Sequence, residues 1–154
     1  MYYFNSGKAR EREKIMSYYL LTSTNHNKPN TQQEKLTLSR YAELAERNGH
    51  IFLAANAKLK QADICRNQAS VNPLYATGLN RDAHRLEHTA YEYAEQILKR
   101  GEYGFGVNAR SRREAVTLLT TMAESLSNHG LKLDAKKVLN TANEWLSTNL
   151  RKIK

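Results

Sequence analysis

Cysteine is nearly missing from this chain: Cys65 stands alone among 154 residues. A single thiol excludes an internal disulfide and suits a reducing cytoplasm, where its ordinary role is that of a small apolar residue on a packed face. Proline occurs twice, and alanine- and leucine-bearing stretches run long between the breakers. That scarcity argues against a β-sandwich and for helices. Long apolar runs are lacking too. The patch Ile15 to Leu21 is interrupted by Ser17 and two tyrosines, is too short to span a bilayer and has no small-residue cleavage site. No membrane anchor or export signal is expected, and the chain reads as soluble and cytoplasmic.

Negative charge is the other shortage. Against 24 Lys and Arg there are only 15 Asp and Glu, leaving a formal net charge of +9. Such an excess favours an anionic partner, either nucleic acid or an acidic protein face. The length fits one domain able to bury a core of its own.

What is present is helical periodicity. Ile15, Met16, Tyr19 and Leu20 share a face in a first helix expected from about Ser6 to Ser23. After the polar connector NHNKPN, Thr31 and Glu34 have capping-box spacing, and Leu38, Tyr41, Ala42 and Ala45 follow on one stripe. The stripe ends at Asn48-Gly49 and restarts with Phe52, Ala55, Leu59 and Ala62, fading near Arg66. Glycine inside a helix costs roughly 1 kcal/mol relative to alanine, so a helix end at Gly49 explains the dipeptide better than one continuous rod does. Residues 70–80 read as a linker or irregular turn. A helix from about Arg81 to Arg100 places Ala83, Leu86, Ala90, Ala94 and Ile97 together, and Gly101 stops it. Ser111 and Glu114 suggest a second capping box for a helix to about Asn128, with Ala115, Leu118, Leu119, Met122 and Leu126 inward. Gly130 closes that helix. A last one from Asp134 to the end is expected to bury Ala135, Val138, Leu139, Ala142, Trp145 and Leu146, with Ile153 behind them.

These elements define an all-α chain of about six helices packed as antiparallel αα-hairpins. The hairpins resemble those of tetratricopeptide repeats without forming a full solenoid. One domain, 1–154, is expected, with the N-terminal helix within 1–25 able to stand semi-separate. Tyr2, Tyr3 and Phe4, with Tyr18 and Tyr19, suggest either docking on the chain's own core or homodimerisation.

The first hairpin carries a family resemblance. Glu46-Arg47-Asn48-Gly49, then four residues, then Ala54-Ala55 is similar to the small enterobacterial regulators of the ANR family and, more loosely, their PerC-type relatives. Asn72 followed by Tyr75 fits the family's Asn-x-x-Trp pattern loosely, whereas Lys58 stands where the family usually has tryptophan. The resemblance, over residues 42–75, implies a modulator of transcription that binds another regulator or DNA.

Two stretches carry candidate chemistry. His84, Glu87 and His88 spell H-x-x-E-H, a zinc-peptidase spacing with two histidines one turn apart and a carboxylate beside them. That chemistry needs a third ligand and a large cleft, so a surface pair with no metal is the expectation. RGEYGFGV, residues 100–107, resembles an RNA-recognition strand but lies between helical patterns. Its three glycines lack the lysine and hydroxyl of a phosphate-binding loop.

The same stretch places Tyr103 and Phe105 among Lys99, Arg100, Arg110, Arg112 and Arg113. Aromatics among cations suit stacking on bases or a hot spot for a protein partner; alternatively, both rings tuck onto the core and the arginines solvate helix ends. With no grouping of nucleophile, base and orienting residue, an enzyme is not expected, nor is a cofactor. Two functions follow. One is a basic helical regulator that binds nucleic acid, DNA rather than RNA, and modulates transcription. The other is an adaptor that binds another regulator or a host or phage protein.

Overall fold

The computed structural model describes residues 31–152, with side chains described to residue 146. The helix expected over Ser6 to Ser23, the N-terminal aromatics and Ile153 lie outside the described residues. Within them the chain is all-helical: α1 (Thr31–Arg47), α2 (Ile51–Val71), a 3-10 turn (Pro73–Tyr75), α3 (Ala76–Arg100), α4 (Ala109–Asn128) and α5 (Lys132–Lys152). Each helix packs on the next, and α2 also reaches α4. The result is the expected stack of antiparallel hairpins. Among the described residues no helix is long and apolar enough to cross a membrane.

Gly49 is a corner. Its φ of 76° lies in the left-handed region, and its N–H bonds to the Glu46 carbonyl while the His50 N–H reaches back to Ala45 at 2.8 Å. These two bonds form a Schellman closure, which satisfies carbonyls that the end of α1 would otherwise leave open. Gly130 repeats the device: its N–H meets Ser127 and the Leu131 N–H meets Leu126 at 2.9 Å. Around the first corner, Lys58 pairs with Glu46 at 3.1 Å, and Ala54 and Ala55 are fully buried. The residues that carry the family resemblance are therefore the ones that close and pack this turn.

Helix α2 is central. Its buried residues, from Ile51 through Ala69, point to every side, as expected for a helix enclosed by neighbours. Leu53, Ala54 and Ala57 meet Leu38, Tyr41, Ala42 and Ala45 of α1. On another side Ala55 and Leu59 join Ala90, Ala94 and Ile97 of α3, together with Leu118 and Leu119 of α4 and Ala135 and Val138 of α5. Ala62 and Cys65 pack on Ala83.

The α2–α3 seam has an alternating spacing of four and three. Ala55, Leu59, Ala62, Arg66 and Ala69 face Ala83, Glu87, Ala90, Ala94 and Ile97, all of them buried. Alanine at most of these positions allows the helix axes to approach closely. One pair breaks the apolar rule. Arg66 donates from Nε to Glu87 Oε2 at 2.9 Å and from Nη2 to Oε1 at 2.5 Å, and its third nitrogen reaches Asn80 at 3.3 Å. Glu87 holds the Arg66 guanidinium above its ordinary pKa. A two-pronged buried pair is satisfied in one register only.

Five expectations are corrected. Helix α2 continues past Arg66 to Val71, and α3 starts at Ala76 rather than Arg81. Pro73 occupies the first turn of the short 3-10 element, where its missing N–H costs nothing. Helix α4 begins at Ala109, with Asn108 as its cap: Ser111 N–H donates to Asn108 Oδ1 at 2.8 Å, and Asn108 N–H to Ser111 Oγ at 3.1 Å. Ser111 is thus the third residue of the box, and Glu114 instead pairs with Arg110. Helix α5 starts at Lys132, and of its expected inward residues Leu139 and Leu146 are exposed, because Ala135, Val138 and Ala142 take the face against α4.

Candidate nucleic-acid interface

The corner between α3 and α4 is a closed loop of eight residues, 101–108, built on a close backbone contact. Gly106 N–H donates to the Arg100 carbonyl at 2.9 Å, Gly104 N–H to Gly101 at 3.3 Å, and Gly101 N–H to Ile97 at 2.9 Å. Gly101 has φ of 80°, and a Cβ there would meet the Gly106 carbonyl oxygen at 1.9 Å. Only glycine fits. The bonds draw the last residue of α3 to within three residues of Ala109, where α4 starts.

The two aromatics divide. Tyr103 turns back: its hydroxyl is 3.2 Å from His50 Nδ1, and the rings meet edge to face with centroids 5.8 Å apart. His50 is fully buried, so this contact ties the loop to the α1–α2 corner. Phe105 projects outward and is 88% exposed. Of the two arrangements open from the sequence, Tyr103 takes the docked one and Phe105 the exposed one.

The cations flank this ring in chain order. Lys99 and Arg100 are exposed at the end of α3, where positive charge complements the helix dipole. Arg110, Arg112 and Arg113 occupy the opening of α4, whose first turn has no acidic residue. There the dipole is positive as well, so the arginines oppose it. Lys99 has Glu95 at 3.5 Å and Arg110 has Glu114 at 3.2 Å. Arg100, Arg112 and Arg113 form no ion pair with any described residue. The corner therefore carries uncompensated positive charge next to an outward phenyl ring.

The other motifs resolve differently. Glu87 of H-x-x-E-H points inward to Arg66 and is buried, while His84 and His88 are exposed and His88 lies 2.7 Å from Glu92. The carboxylate that would activate water is thus committed to the α2–α3 seam. Among the described residues no group of three potential ligands could hold a metal ion. Two arrangements escaped the sequence reading. One is the Arg66–Glu87 pair itself, 21 positions apart on neighbouring helices. The other joins α2 to the end of α4: Asp63 Oδ1 accepts from Ser125 Oγ at 3.2 Å and lies 2.7 Å from His129 Nε2. It borders an open groove of about 330 Å³ over Leu59 and Ile64. Serine and histidine both bond the same carboxylate oxygen here, whereas a proton relay would place histidine between them. The three residues act as a clamp. No short-range sequence signal marks either arrangement.

Comparison of the chain with protein-family models, with curated proteins and with solved structures finds no match.

Proposed function

We propose that this chain is a small cytoplasmic regulator that binds DNA through the α3–α4 corner and modulates transcription, without catalysis. The observation that carries the reading is the placement of Arg112 and Arg113. Both lack a carboxylate partner among the described residues, and they stand at the fourth and fifth positions of α4, Arg112 at the edge of its positive end. Such an arrangement disfavours the isolated protein by a few tenths of a kcal/mol per charge and becomes favourable when an anion arrives. A phosphate backbone supplies that anion in a repeating row, and phosphate contacts position a protein without reading sequence. The net charge of +9 and the resemblance of residues 42–75 to ANR and PerC-type regulators support the same reading.

The test is a titration of duplex DNA at several salt concentrations. Affinity should fall steeply as salt rises, because bound phosphates release counterions. The triple substitution Arg110→Glu, Arg112→Glu, Arg113→Glu should abolish binding. Wild-type affinity that ignores salt would contradict the reading.

A second reading rests on a different corner. Val71, Leu74 and Tyr75 between α2 and α3 are exposed, Leu74 at 87%, in a stretch, 67–80, that holds no lysine or arginine. An apolar corner of this kind suits a protein partner. As an adaptor, the chain would hold another regulator in a complex that survives nuclease and is lost on Leu74→Asp.

A further inference from the structure

Phe105 is presented by a braced loop. The backbone bonds from Gly106 to Arg100 and from Gly104 to Gly101 close its base. Tyr103 anchors one side on His50, and the Asn108–Ser111 box fixes the other. Gly104 and Gly106, at φ of 78° and 119°, hold the backbone in conformations that turn the intervening residue outward. A phenyl ring left 88% in water has its face open to a partner, and covering it there would recover the gain of burial.

The surrounding charge discriminates between partners. Of the carboxylates near the ring in sequence, Glu95 pairs with Lys99, Glu114 pairs with Arg110, and Glu102 is buried within the loop, so five cations stand against three carboxylates between positions 95 and 114. What the loop offers is an open apolar face with Arg100 before it and Arg112 and Arg113 after it in the chain. Nucleic acid supplies the complement of both within one nucleotide, a π-face and a phosphate. In an intact duplex, base faces are covered by their neighbours and only edges line the grooves. A ring gains most on a base that is already unstacked.

We propose that the α3–α4 loop recognises single-stranded DNA, with Phe105 stacking on one base while Arg100, Arg112 and Arg113 hold the flanking phosphates. This rests on the nucleic-acid reading above and narrows it from DNA in general to an unpaired strand.

The experiment measures fluorescence anisotropy of a labelled single-stranded deoxyoligonucleotide of about twelve nucleotides and of the same sequence as a duplex. Wild-type protein is compared with Phe105→Ala, Phe105→Leu, Phe105→Trp and Arg112→Glu/Arg113→Glu. The single strand should bind more tightly than the duplex. Phe105→Ala and Phe105→Leu should each weaken single-strand binding about 10-fold and leave the duplex affinity and the salt slope unchanged. Phe105→Trp should retain binding. The double arginine variant should weaken both forms and flatten the salt slope. Circular dichroism of the Phe105 variants should match wild type, since the ring supports no packing. Equal single-strand affinity for wild type and Phe105→Ala would overturn the stacking role while leaving phosphate binding intact. Salt-dependent binding of duplex alone would overturn the single-strand preference. Absence of binding to either form at low salt would overturn both this proposal and the reading on which it rests.

Discussion

A methyl group at Gly101 has no room: the Gly106 carbonyl oxygen would lie 1.9 Å away, and φ is 80°. At Gly104, with φ of 78°, the space is open. Gly104→Ala carries the positive-φ penalty, about 1–2 kcal/mol, whereas Gly101, with ψ of 164°, lies in a region essentially open to glycine alone. Gly101→Ala must also displace backbone, so it should lower stability by more than Gly104→Ala in urea titrations. Equal losses would mean that the loop is not closed by this contact. Phe105→Ala, by contrast, should change stability by no more than about 0.5 kcal/mol, as for an exposed residue. At this scale the sequence identified the loop, its aromatics and its cations, but not that Tyr103 and Phe105 part ways. The partner that separates them, His50, lies 53 positions away, beyond the reach of any local pattern.

Two elements make their own predictions. Along the α2–α3 seam, Glu87→Leu would leave the Arg66 guanidinium buried without its carboxylate, at a cost of about 3–5 kcal/mol. The double change Arg66→Met/Glu87→Leu removes both charges and should recover most of that loss in thermal or urea unfolding. If the double variant were as damaged as the single one, the pair would be stabilising beyond satisfying itself. On α4 the expected change is small. Arg113→Glu, at the fifth helical position and so past the turn where the helix dipole acts, should change stability by no more than about 0.5 kcal/mol while weakening DNA binding. Loss of both stability and binding would point to a structural role for Arg113. Helix existence was legible from periodicity because each apolar stripe needed only a neighbouring helix, whichever that was. Boundaries were not. Pro73 reads as a breaker when it in fact starts a turn, and Ser111 matches a cap only when Asn108 is overlooked. Leu139 and Leu146 lie on the correct helix, but only the position of α4 decides which flank of α5 is covered.

For the whole molecule, alkaline pH is the natural probe of the packed centre. Burial pushes the Cys65 thiol above its ordinary value of 9.0, and burial together with Glu46 pushes Tyr93 from 10.0 up to about 12. Both groups bind protons more tightly in the folded state, so the unfolded chain loses them first as pH rises. Their contribution is therefore complete below about pH 9 and is lost through the window up to about 12. Melting temperature should fall across that range, and Tyr93→Phe should flatten the upper part of the fall. An unchanged profile in Tyr93→Phe would show that the phenol is not the group titrating. The most direct measurement of the account as a whole is the salt dependence of DNA affinity for wild type against Arg112→Glu/Arg113→Glu. The account predicts a steep logarithmic slope that becomes shallower by roughly 0.7–0.9 for each phosphate contact removed. Identical slopes for the two proteins would contradict it.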